Sequence, residues 1–160
     1  MLIKVTPDKE KASSILKMVN STLEMIKELD SHKYPSNVTK EYYESIRELI
    51  SVIALLDGFK TQGEGAHKEL IDYLKENYHS FNEQEINLVD DLRNKRNRIA
   101  YDGFFVNEEY IERNNNLIIK VITKLKTIIK ERLTFHFEFL KTSSSKVILL
   151  SLLISSFVSM

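Results

Sequence analysis

Cysteine is absent from the 160 residues. That excludes disulfides, thiolate zinc sites and cysteine nucleophiles, and it suits a reducing cytoplasm, the expected location. Proline occurs twice and glycine four times. With so few backbone breaks, long helices are favoured over a turn-rich fold. Neither sign of charge is in excess, since 23 Lys and Arg face 23 Asp and Glu. Global electrostatics therefore give no argument for nucleic acid, and any anion site must be a local patch. The histidines His32, His67, His79 and His136 are far apart and show no metal-ligand spacing. No metal and no cofactor is expected. The opening MLIKVTPDK carries too short an apolar run for a signal peptide.

What is present is helical periodicity. Apolar residues at Ala12, Ile15, Leu16, Val19, Leu23, Ile26 and Leu29 predict a first helix over about 7–30, with Thr6 as cap and Pro7 in the first turn. A second helix is expected over about 38–60. Its VIALL stretch is apolar nearly all round, which marks the central element. TQGEGA breaks the pattern, and a short third helix follows over about 66–78. Ser80 or Asn82 caps a fourth helix that stops near Gly103. Phe104 to Val106 read as a brief extended link. Asn107 caps a fifth helix that runs to about residue 140. No period-two alternation, repeat or linker is visible. The expected fold is all-α, an up-and-down bundle of four to five helices in one domain over 1–141, followed by an apolar tail over 142–160.

Within that tail, residues 147–160 read VILLSLLISSFVSM, with no charge. Fourteen residues of helix span roughly 21 Å, short of the ~30 Å hydrocarbon core. The favoured reading is a segment that docks on the bundle or self-associates. Membrane contact through 147–160 and an altered reading frame at the end of a gene stand behind it.

The most informative stretch is DDLRNKRNRIAYDG, residues 90–103. With the helix unrolled from Leu92, the residues Leu88, Val89, Leu92 and Ile99 form an apolar stripe, and Arg96 falls inside it at roughly 40°. Arg98 and Asp91 point the opposite way. An unpaired guanidinium on a packing face is costly. Arg96 therefore either pairs with a carboxylate across an interface, such as Asp90, Asp91 or Glu85 of a partner chain, or receives an anionic ligand.

The helical pattern together with R-N-R-I-A-Y-D-G-F-F, starting at Arg96, resembles the HEPN superfamily, in particular its small stand-alone prokaryotic proteins. The similarity covers roughly residues 8–140, and LLDGFKTQGEGAHKELIDYL also looks like the corresponding region. The family signature is R-x4-6-H. Arg96-Asn97 matches its start, and Tyr101 stands where the histidine belongs. Family members with the full motif are often metal-independent ribonucleases that dimerise so that two motifs share one cleft. There the Arg would bind phosphate and the His would act on the RNA 2′-hydroxyl. The resemblance thus implies a homodimer that binds RNA or a nucleotide through Arg93, Arg96 and Asn97. It implies a catalytic set of Arg96, Asn97 and Tyr101, and a toxin–antitoxin setting. A guanidinium fork suits a phosphate. A tyrosine near pKa ~10 is a poor base at neutral pH, so activity is expected to be weak or absent. In toxins of the family a tyrosine two residues after the histidine is modified by a nucleotidyltransferase partner. Gly103 holds that position here, so this regulation is not carried over by position; Tyr101 stands as an alternative acceptor, and a nucleotidyltransferase partner remains among what the resemblance implies.

Each of these residues also has a plainer reading. Arg96 could only make salt bridges in a structural or adaptor dimer. Asn97 could cap a helix end, and Tyr101 could be a packed aromatic with its hydroxyl at the surface. Arg93, Lys95 and Arg98 point in different directions and form no single basic face. His67 follows a glycine-rich loop and could enter a site, although a surface histidine is the default. TQGEGAHK lacks the spacing of a phosphate loop. Asp90 and Asp91 face about 100° apart and make a poor catalytic pair.

Overall fold

The computed structural model describes the backbone of residues 1–157 and the side chains of residues 1–134. Five helices dominate, α1 (Lys9–Glu28), α2 (Pro35–Leu56), α3 (Ala66–Asn77), α4 (Glu83–Asp102) and α5 (Glu108–Phe157), with two three-residue strands, β1 (Leu2–Lys4) and β2 (Phe59–Thr61). The protein is an all-α helical bundle with a small ribbon on one side.

Local chemistry sets the helix ends. Asp8, not Thr6, caps α1, and its carboxylate accepts from the Lys11 amide at 2.9 Å. Pro7 lies outside the helix. The second helix begins three residues earlier than its apolar stripe suggests, because Pro35 occupies the first turn with φ already set for helix. Asn82 caps α4 in a reciprocal box with Glu85. Gly103 ends it at φ +63°, and the Gly103 and Phe104 amides both donate to the Arg98 carbonyl. The Asn107 side chain accepts from the Glu109 amide at the start of α5. The segment 142–160 was set apart in the sequence as a tail. Its backbone continues α5 as far as Phe157. The side chains of that segment and residues 158–160 lie outside the described residues.

α2 is the central element, packed against α1, α3, α4 and α5. Leu49, Ile50, Val52, Ile53 and Ala54 are all fully buried. A helix that is apolar nearly all round can satisfy that composition only by having neighbours on every side. α1 covers it with Ala12, Val19, Leu23 and Ile26, and α5 with Ile118, Val121, Leu125 and Ile129. Among the described residues no helix is long and apolar enough to cross a membrane.

The ribbon is absent from the sequence-based expectation. β1 pairs antiparallel with β2, Leu2 opposite Thr61 and Lys4 opposite Phe59. Three residues are too few to display a period of two. The strands are fastened by a close approach, since the Val5 amide donates to the Gly58 carbonyl at 2.9 Å. A Cβ on Gly58 would lie 3.2 Å from the Val5 oxygen, and its φ of +85° favours glycine. This ribbon delivers the chain to α3.

Candidate phosphate-binding site

α2 carries one polar stripe on its otherwise apolar surface, formed by Glu44, Arg47, Glu48 and Ser51 at helical spacing. α4 lies against that stripe and presents Arg93 and Arg96. The Arg96 Nε donates to Glu44 Oε1 at 2.7 Å, and the Arg47 Nε donates to the other oxygen, Oε2, at 2.7 Å. One carboxylate thus joins two guanidiniums from two helices. The carboxylate expected from a partner chain is supplied within the bundle instead. Asp90 pairs with Arg93 at 3.0 Å and Asp91 with Lys95 at 3.5 Å. Glu85 is fully buried against Lys120 and Lys124, at 3.2 and 2.7 Å. None of the three is free to serve a second chain's Arg96.

The electrostatics follow from this packing. Burial alone would raise the Glu44 carboxyl, but the hydrogen bonds from Arg47 and Arg96 outweigh it and hold the group below the usual carboxylate range. For Arg96, burial acts downward and the Glu44 bond, with the nearby Tyr101 oxygen, carries it upward, so the guanidinium is locked in its charged form. Among the described residues Arg96 commits only Nε to a hydrogen bond of normal geometry. The exposed Tyr101 is the guanidinium's other near neighbour.

Two further residues complete the cluster. The Tyr43 ring is fully buried and lies 5.8 Å from the His67 ring, centroid to centroid. Its hydroxyl has no hydrogen-bond partner among the described residues. Burial pushes that hydroxyl up, and the charges of Arg47, Arg93 and Arg96 reach it. His67 stands in the first turn of α3. Burial lowers its pKa, and Arg47, Arg96 and Arg93 lower it further against the pull of Glu44. Burial and the three guanidiniums thus both favour its neutral imidazole form.

The residues singled out in the sequence divide. Arg93 and Arg96 share this face, both half-buried. Asn97 is next to them, half-buried and without a hydrogen bond among the described residues. It does not cap the helix, which continues to Asp102. Tyr101 is 78% exposed, so the packed-aromatic reading does not hold. Arg98 turns away and lies over the Phe104 ring at 3.7 Å, and Lys95 lies over Tyr110 at 4.5 Å. Tyr43, Glu44 and Arg47 carry no motif and were not marked by sequence reasoning. The polar stripe on the most apolar helix is the signal that points to the last two. Among the described residues no group of three or more metal-binding side chains occurs. No family model, no curated protein and no solved structure matches the chain.

Proposed function

We propose that this chain is a HEPN-like domain that binds the phosphate groups of RNA or of a nucleotide at the Arg96 edge of α4, with weak ribonuclease activity or none. The observation that carries the reading is the uneven use of Arg96. Glu44 fixes its Nε, which orients the planar fork and leaves the outer donors for a bidentate anion. Arg93 flanks Arg96, paired with Asp90, and Asn97 offers an amide that makes no hydrogen bond among the described residues. Low activity follows from Tyr101, since a phenol at the motif position is a poor proton acceptor at neutral pH. A homodimer belongs to the same proposal. Tyr101 and Phe105, 78% and 87% exposed, form an aromatic edge beside the motif, the kind of surface that a second copy would cover.

The Glu44 clasp favours a second reading, in which Arg96 only braces α4 against α2. One pair of measurements separates the two. Arg96→Ala is assayed for binding of a short mixed RNA and for thermal stability, beside Arg98→Ala. Under the phosphate reading Arg96→Ala loses about 1.5–3 kcal/mol of binding, and Arg98→Ala loses little. A lowered melting temperature with unchanged RNA affinity would leave Arg96 as a brace alone.

A further inference from the structure

On the far side of Arg47 and His67 from α4 lies a groove of about 270 Å³ between α1, α2, β2 and the start of α3. Lys11, Arg47, Lys60 and His67 line it, and Ile15 and Leu70 are among its apolar walls. No carboxylate is among its lining residues. Arg47 is held by Glu44 at 2.7 Å and by Glu48 at 3.3 Å, so the unspent positive charge of this concave surface comes from Lys11 and Lys60. Lys11 and Lys60 make no ion pair among the described residues, so their charges are not spent within the fold. α3 opens onto the groove without a side-chain cap, and the amide hydrogens of its first turn add to the positive potential. The apolar walls ask for something besides charge. A bare inorganic anion would leave the half-buried Ile15 side chain uncovered, whereas a phosphate ester with a flat or aliphatic body covers it.

We propose that this groove is a binding subsite for one nucleotide unit, with the phosphate at Lys11, Lys60 and Arg47 and the organic body on the apolar walls. The volume fits a single unit, being smaller than the cavities that hold larger ligands. The inference deepens the phosphate-binding reading of the Arg96 edge and rests on it in one respect: Arg47 and His67 belong to both places. It places His67 between two phosphate positions and gives the site a minimum ligand, a dinucleotide when the ligand is RNA.

The test is a titration of the full chain, followed by the His67 imidazole and Lys60 amide resonances, with AMP, adenosine, inorganic phosphate and the dinucleotide pApA. AMP is expected to shift both signals at millimolar concentration or below. Adenosine and inorganic phosphate should each bind more weakly, because each supplies only half of the contact. The double variant Lys11→Ala/Lys60→Ala should weaken AMP by about tenfold or more, an effect that fades with added salt. Arg96→Ala should remove whatever advantage pApA has over AMP. Equal affinity for pApA and AMP would identify a free nucleotide as the occupant. Adenosine binding as tightly as AMP, or AMP binding unchanged in the double variant, would overturn the groove. AMP binding lost in Arg96→Ala but kept in the double variant would overturn it too, while preserving the Arg96 site. The opposite pattern, loss in the double variant alone, would keep the groove even if the Arg96 reading failed.

Discussion

At the scale of single residues, Arg96 and His67 show two ways in which burial sets charge. Burial and three neighbouring guanidiniums depress His67. In the unfolded chain its pKa returns to ~6.5. The folded form thus binds fewer protons between its lowered pKa and about 6.5, so stability rises with pH through that window and is lost as pH falls. Histidine titration followed by NMR is expected to place His67 below the ordinary histidine value of ~6.5, and a bound phosphate, which opposes the guanidinium field, should raise it. A midpoint unchanged by saturating phosphate would show that the anion binds elsewhere. Tyr101→His restores the R-x4-H spacing with an acid–base group suited to neutral pH, and it is expected to raise cleavage of a mixed RNA substrate. The control is Tyr101→His with Arg96→Ala, which should be as slow as the wild type. Arg96 was legible in the sequence because a charge inside an apolar stripe is conspicuous. Its true partner was not, because Glu44 lies 52 residues away and no local period links them.

At the scale of elements, α4 was the most readable and the most tightly fastened. Its cap, its glycine stop and its stripe all follow from short-range rules. Asn82→Ala should cost about 1 kcal/mol through loss of the cap, read as a shift in the urea midpoint. Glu85 has two duties, closing the capping box and holding Lys120 and Lys124 on α5. Burial works against its charge, but the Lys124, Asn82 and Lys120 contacts prevail and keep its pKa low. The stability it provides is complete above the ordinary carboxylate value of ~4.3 and disappears as pH falls through the lower folded value. Glu85→Ala, which opens the capping box and leaves the solvent-accessible Lys120 and Lys124 without their carboxylate, is expected to cost about 1–2 kcal/mol at pH 7. The difference from wild type should shrink in unfolding curves taken towards pH 3. The N-terminal ribbon was unreadable because its register is set by one close contact at Gly58 rather than by composition.

At the scale of the whole molecule, periodicity was enough to give the helix order and the buried faces, because each helix is long relative to its apolar repeat. It could not show which polar residues of different helices meet, and the candidate site is made of such meetings. Among the described residues the buried cluster reaches Ile129 and the partly buried Leu133, and the caps and apolar stripes of the five helices are complete without the last nineteen residues. Deletion of residues 142–160 is therefore expected to leave the bundle folded, with helical circular dichroism reduced only by the length removed. A cooperative collapse of the spectrum would place that segment in the core. Light scattering at micromolar concentration tests the dimer. A particle of twice 18.7 kDa is expected, and one of single mass would dissociate phosphate binding from self-association.

The central placement of α2 has a kinetic consequence. Every other helix must be lifted before water can reach its middle turns. Amide hydrogens from Leu49 to Ile53 should accordingly exchange with solvent only when the entire protein opens, so their rates report global unfolding directly. The hydrogens of α1, which packs chiefly on α2, should exchange sooner. The polar stripe that holds Arg96 is carried by that same slow helix. The proposed anion-binding edge therefore stands on the part of the molecule that opens last, and a phosphate bound there would meet a surface already fixed in place.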